Sequence, residues 1–227
     1  MRTQESPPDL EGISRRYQRL YTGAVADVLD ELGLRNQALP HEIRPLSDDM
    51  KVAGFAFTLQ GRASGDAAAA TREDYVKALS KIDELPPFCV VVCEPGRDTD
   101  CAHWGELSSN AVRARGCQGV VVDGGVRDSG FIRRIRFPVF ARYRTMVDAV
   151  GRWVPSCFQQ PIQIGAVVVH PGDFVFGDMD GVLVVPRDLT NEVLERAEKV
   201  RRVEGQVRRE LRAGTSAMET FEKYGKF

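Results

Sequence analysis

Apolar residues along the chain keep two rhythms, one of three to four residues and one of two, and the switches between them predict most of the elements. From Thr22 onward, Val25, Val28, Leu29 and Leu32 recur on one helix face; Thr22 can cap the start and Gly33 fits the stop. Residues 34–50, with Pro40 and Pro45, read as a connection. Val52 to Gln60 alternates loosely as a strand, Gly61 to Gly65 reads as a loop, and Ala67 to Leu79 favours a helix. After Pro86-Pro87, the run Phe88–Cys93 is apolar on both faces, as in a covered strand of an α/β sheet.

A loop over 94–104 then leads to a helix that begins at Gly105-Glu106 and ends near Gly116. Gly119 to Val122 is the next strand, 123–128 a turn, and Pro138 to Phe140 a further strand beyond a short helix. Alternating strands and helices of this kind predict an α/β layer. From 147 the texture turns to short strands at 162–164, 167–170, 174–176 and 182–185, separated by turns at 171–173 and 177–181. A long helix closes the chain over 188–214: Asp188 can cap it, apolar residues from Leu189 to Leu211 step along one face, and Gly214 can end it. Residues 1–12 are polar and read as a flexible tail. With neither linker nor repeat, 1–227 is expected to form a single domain.

Composition changes this picture little. The 227 residues are 43% hydrophobic and 28% charged, ordinary for a globular chain, and the formal charge is −1. That balance provides no global field for nucleic acid or an anionic membrane. No apolar run approaches membrane-span length, and the first residues lack a secretory apolar region, so a cytoplasmic location is expected. The five cysteines contain no CxxC pair. Cys89 and Cys93 are expected on one face of a strand as core thiols, with Cys101 and His103 close enough that a soft-metal group stays open.

Two places can carry chemistry. The start of the helix at Gly105-Glu106-Leu107-Ser108 offers backbone N–H groups without intrahelical partners, a seat for a carboxylate or phosphate. The segment Asp123-Gly124-Gly125-Val126-Arg127-Asp128 follows a buried strand, where α/β proteins bind ligands. Arg127 supplies a planar fork for a carboxylate, and Asp128 a hard oxygen ligand for Mg²⁺ or Mn²⁺. The glycine spacing is not that of a dinucleotide site. Arg133, Arg134 and Arg136 read as a solvated face, His41 and His170 as structural, and Asp178 and Asp180 as turn residues.

The stretches TGAVADVLDELG (22–33), GELSSNAVRARGCQGVVVDGGVRD (105–128), FPVFAR (137–142), PGDFVFGDMDGVLVVP (171–186) and EGQVRRELRAG (204–214) resemble the RraA-like family. That family includes class II 4-hydroxy-4-methyl-2-oxoglutarate / 4-carboxy-4-hydroxy-2-oxoadipate aldolases and regulators of ribonuclease E. The resemblance implies an α/β fold of swivelling β/β/α layers, assembled as a homotrimer or hexamer. It also implies a site in which Arg127 and the amides of Gly105-Glu106-Leu107-Ser108 hold a pyruvyl group, Asp128 ligates Mg²⁺ or Mn²⁺, and Glu106 stands beside the metal's waters. Glu204 is implied as the acidic residue that a neighbouring subunit contributes.

The activity so implied is metal-dependent retro-aldol cleavage of a 4-hydroxy-2-oxo acid to pyruvate, with oxaloacetate decarboxylation as a companion. The alternative is a non-catalytic regulator that binds ribonuclease E or a related protein; the retained Arg127-Asp128 pair favours the enzyme. Two departures from the family pattern, Tyr143-Arg144-Thr145 after FPVFAR and Ser108-Ser109 after Gly-Glu-Leu, are expected at the pocket rim and bear on the substrate.

Overall fold

The computed structural model describes residues 9–64 and 72–225. Its elements in chain order are α1 (Leu10–Tyr17), α2 (Thr22–Glu31), β1 (Arg44–Pro45), β2 (Val52–Ala63), α3 (Arg72–Asp83), β3 (Cys89–Glu94), β4 (Ala102–Trp104) and α4 (Glu106–Ala114). There follow β5 (Gly119–Val126), α5 (Ser129–Arg134), β6 (Val139–Arg144), β7 (Trp153–Phe158), β8 (Ile162–Ile164), β9 (Val167–Val169), β10 (Phe174–Asp178), β11 (Gly181–Val185), α6 (Thr190–Arg212) and α7 (Ala217–Tyr224).

The main sheet runs β1-β6-β5-β3-β2-β10-β11, with β4 paired to β5 and β7 to β2. Strands β2, β3, β5 and β6 are mutually parallel, and β4 joins β5 in parallel; α3, α4 and α5 lie between successive strands in the chain. The β10–β11 hairpin and β7 pair antiparallel, as does β1. Arg44 Nη1 donates to the Asp180 carbonyl at 2.7 Å, so the two ends of the sheet meet and it nearly closes into a barrel. This mixed α/β architecture is the one expected.

One sheet serves two apolar cores. Val52, Val175, Val182 and Val184 face the interior cluster around Val90, Val120 and Phe140. Their neighbours Ala53, Phe174, Phe176, Leu183 and Val185 face outward, where α1, α2 and α6 cover them with Tyr17, Leu29, Val193 and Leu194. The period of two in the strands thus supplies both layers.

Several boundaries differ from the expectation. Strand β2 continues through Gly61 to Ala63 instead of looping, because β7, an unexpected strand, pairs with that half and seats the Trp153 ring against Gly61. The supposed loop 94–104 contains β4, and the supposed turn 123–126 is still β5. Gly124 and Gly125 serve close packing: a Cβ there would stand 2.4 Å from the His103 ring and 2.4 Å from the Tyr143 ring, respectively. Thr22 does not cap α2. Its N–H and hydroxyl both donate to the buried Asp178 carboxylate, at 2.9 and 2.8 Å, so a distant turn supplies the acceptor. Asp188 does not cap α6 either, since it lies within a 3₁₀ turn (Arg187–Leu189) that precedes the helix. Gly33 and Gly214 do end their helices, at φ of 80° and 92°.

Of the expected tail, residues 1–8 lie outside the described residues, and α1 already begins at Leu10. The expected helix 67–79 is seen as α3, with 67–71 outside the described residues. Helix α7 was not anticipated.

Candidate active site

The end of β5 and the start of α4 lie side by side because β4 runs parallel to β5 and delivers Gly105 next to Arg127. The Arg127 N–H donates to the Trp104 carbonyl at 3.0 Å, which locks the two segments together. Gly105 is extended, and a Cβ there would press tightly on Asp128 Oδ2, at 3.0 Å. At the N-cap of α4, Gly105 has no side chain to cap the helix. The Glu106 N–H reaches Asp128 Oδ2 at 3.3 Å, and the Leu107 and Ser108 N–H groups have the unpaired positions of a helix start.

Asp128 occupies the left-handed region, φ 57° and ψ 26°, which costs a non-glycine residue about 1 kcal/mol. The strain aims its carboxylate back at α4. Oδ2 also lies 3.4 Å from Arg127 Nε, while Oδ1 has no hydrogen-bond or ion-pair partner among the described residues. Arg127 Nη1 is held at 2.8 Å by Asp148, a residue that follows β6 and that no motif announced. That pairing holds the Asp148 carboxyl below the usual carboxylate range and raises the guanidinium further. The Asp128 carboxylate suits one hard, partly hydrated divalent cation, whereas Glu106 meets that carboxylate through its backbone N–H, its own carboxylate accepting from Asn110 Nδ2 outside the cavity lining.

Behind these residues opens a cavity of about 270 Å³, lined by Arg127, Asp128, Asp148, Gly105 and Ser108 at one end. Phe57, Leu59, Trp104, Trp153, Ile82 and Leu85 are among its other lining residues, with His103 and Lys81. The structure thus brings together Gly105, Glu106, Leu107, Ser108, Arg127 and Asp128. Glu204 is not among them within the chain: it lies on α6, in the outer layer, where the Tyr21 hydroxyl donates to it and Arg208 Nη2 lies 3.6 Å away. Burial, and after it this hydrogen bond, pushes the Tyr21 hydroxyl up to about 12.

Of the two departures from the family pattern, only Ser108 reaches the cavity. Ser109 is buried, donating to the Gly105 carbonyl and accepting from Trp104 Nε1 at 3.0 Å. Tyr143 donates to the Cys101 carbonyl at 3.0 Å, Arg144 to the Leu46 carbonyl, and Thr145 accepts from Val147 N–H. They brace strands instead of forming a rim. Asp123 likewise turns away, to Arg142.

Cys89 and Cys93 are buried free thiols on β3, the core thiols expected, and Cys89 lies against the free thiol of Cys117. Asp98, Cys101 and His103 do converge, with one ligand atom each within 4.8 Å of the others. Their hydrogen bonds argue against a metal. His103 Nδ1 accepts from Gly125 N–H at 3.0 Å, so the proton sits on Nε2 and is donated to Asp98 at 2.9 Å. A metal on Nε2 would need the opposite tautomer.

The family model described as RraA-like: Aldolase/RraA matches residues 22–184. A protein of Halalkalibacterium halodurans named "Putative 4-hydroxy-4-methyl-2-oxoglutarate aldolase" is 33% identical over 81% of each chain. Protein DlpA of Legionella pneumophila is 32% identical over 88% of this chain, which spans only 32% of DlpA's length. Among solved structures, Streptomyces coelicolor RraAS2, described as an unusual member of the RNase ES inhibitor RraA protein family, superposes with a TM-score of 0.75 at 27% identity. That match covers 90% of this chain and 98% of RraAS2. No helix among the described residues is long and apolar enough to cross a membrane. On the extent of these matches, the chain belongs to the RraA-like family.

Proposed function

We propose that the protein is a divalent-metal-dependent carbon–carbon lyase that cleaves a 4-hydroxy-2-oxo acid to pyruvate and a second carbonyl compound. Oxaloacetate decarboxylation is a companion activity, since both reactions leave pyruvate enolate. The observation that carries the reading is the guanidinium of Arg127, held by Asp148 and Asp128 beside the start of α4 on the lining of a cavity. The name carried by the Halalkalibacterium relative supports the same class of reaction.

In this reading the Leu107 and Ser108 amides and the remaining edge of Arg127 bind the substrate carboxylate. Glu106 takes the proton of the 4-hydroxyl as the C3–C4 bond breaks, and C4 leaves as a carbonyl. The electron pair moves onto the 2-oxo oxygen, where the fixed positive charge of Arg127 is strongest in effect. A proton returned to C3 completes pyruvate. Asp128 would hold the Mg²⁺ or Mn²⁺, which when bound polarises the 2-oxo group.

The assembly is a homotrimer or hexamer in which Glu204 of one subunit approaches the site of the next. Exposed apolar side chains near the mouth, Leu107 and Met146, support a face covered by a neighbour.

Pyruvate release from a panel of 2-oxo acids, with Mg²⁺ or Mn²⁺ and with EDTA, tests the function. Turnover that stops in EDTA, without trapping of pyruvate on the chain by borohydride, is expected. Full turnover in EDTA, or a borohydride-trapped lysine adduct at Lys81 in the cavity wall, would overturn the metal-dependent route. Complete inactivity together with inhibition of an RNase E-type nuclease would establish the regulator instead.

A further inference from the structure

The inner part of the cavity is not built for charge. Phe57, Leu59, Trp104, Trp153 and Leu85 are all buried there, and the polar atoms among the aromatic walls are already used inside the protein. Trp104 Nε1 donates to Ser109 Oγ at 3.0 Å, and Trp153 Nε1 donates to the Pro95 carbonyl at 3.0 Å. Both nitrogens of His103, which also lines the cavity, are taken by Gly125 and Asp98. A ligand meets ring faces and methyl groups, with no free donor from these three side chains.

Apart from Lys81, the charged residues lining the cavity among the described residues are Arg127 and the two carboxylates that flank it, Asp128 and Asp148. A single carboxylate of a 2-oxo acid finds a partner there. Within the chain, a second carboxylate at the far end would have only Lys81 as a further cation on the cavity lining among the described residues, and that ammonium is partly exposed, pairing with Glu84 just past the end of α3 instead of reaching in among the aromatic walls. Burying an unpaired carboxylate against such walls is strongly unfavourable. The volume agrees with an apolar tail. A cavity of about 150 Å³ accepts a benzene ring, so about 270 Å³ holds a ring or a branched alkyl group together with a three-carbon head.

We infer that the substrate is a 2-oxo acid with one carboxylate, its far end an uncharged aryl or branched alkyl group lodged among Phe57, Leu59, Trp104 and Trp153. The inference rests on the proposed lyase reading and specifies it. The reaction becomes cleavage of a 4-hydroxy-2-oxo acid bearing the apolar group on C4: the hydroxyl proton leaves, the C3–C4 bond breaks, C4 departs as an apolar aldehyde, and C3 gains a proton to give pyruvate. No redox partner is needed.

Two measurements on the full chain with Mg²⁺ test it. In calorimetric titration, phenylpyruvate should bind at least ~10-fold more tightly than 2-oxoglutarate, the low end of what apolar pockets discriminate. In steady-state assays, racemic 4-hydroxy-2-oxo-4-phenylbutanoate should exceed 4-hydroxy-2-oxoglutarate in kcat/KM by ~100-fold. Leu79→Lys, at an exposed position on the cavity wall, should narrow both ratios by adding a cation. Equal or better binding and cleavage of the dicarboxylates would overturn the inference while leaving the lyase standing. The binding preference without any cleavage would leave the apolar subsite standing and remove the lyase.

Discussion

Arg127 Nη1 and Asp148 Oδ2 lie 2.8 Å apart, although twenty-one positions separate them in the chain and neither is buried. The contact engages Nη1 while Asp128 approaches Nε, so Nη2 is the guanidinium nitrogen without an ion-pair partner among the described residues. Lysine would supply the charge without the fork. Arg127→Lys and Arg127→Ala should therefore both lower kcat/KM, by about 30- to 1000-fold, with little change in thermal stability. Kinetics and melting curves of the two variants check this; a folded Arg127→Ala protein with wild-type kcat/KM removes Arg127 from the site.

Asp128 separates backbone strain from chemistry. Asp128→Ala and Asp128→Gly both delete the carboxylate, and both should abolish metal-dependent turnover. Only glycine relaxes the left-handed backbone, so the glycine variant should be the more stable by about 1 kcal/mol, or roughly 2–4 °C in Tm. Equal melting temperatures would mean that φ of 57° stores no strain.

Gly124→Ala should destabilise the protein by about 1–3 kcal/mol, because the added methyl meets the His103 ring at 2.4 Å in a packed layer. Urea denaturation measures it. A neutral result would imply that the His103 ring can swing away, which its two hydrogen bonds oppose.

His103 also predicts a pH dependence. Burial holds its pKa below the ordinary value, more than the neighbouring Asp98 raises it, so the folded state keeps a neutral ring. The unfolded chain then binds the proton more readily, and stability should be full above pH about 6.5 and fall as pH drops toward the folded-state value. His103→Gln should flatten the curve in that window. Although burial pushes the Asp98 carboxyl up, the bonds from His103 and the Asp100 N–H outweigh it and depress the pKa, so its own contribution is lost only at lower pH. Identical pH profiles for the wild type and His103→Gln would exclude the ring as the titrating group.

The parallel strands and the Arg127-Asp128 corner were legible because continuous apolar runs and a charged pair after glycines leave local signatures. Trp153–Phe158 was not, since Pro155 and half-exposed positions erase the alternation at an edge, and pairing with the far half of β2 is a tertiary fact. Asp178 illustrates the same limit: its turn was readable, but its service as acceptor for Thr22 depends on 156 positions of intervening chain. The segment 123–128 reads as a turn from its glycines, whereas in β5 the rings packed against Gly124 and Gly125 are what exclude a side chain. Asp148 had no motif at all; only the fold brings it to Arg127.

The alternating inward and outward residues of β10 and β11 have a thermodynamic consequence. Each strand is a party wall between two apolar compartments, so neither can take up solvent without stripping the lining of the other. Calorimetry should accordingly record one endotherm whose van't Hoff and calorimetric enthalpies agree. The slowest amide exchange should fall on residues 174–176 and 182–185, where opening requires both compartments to flood together.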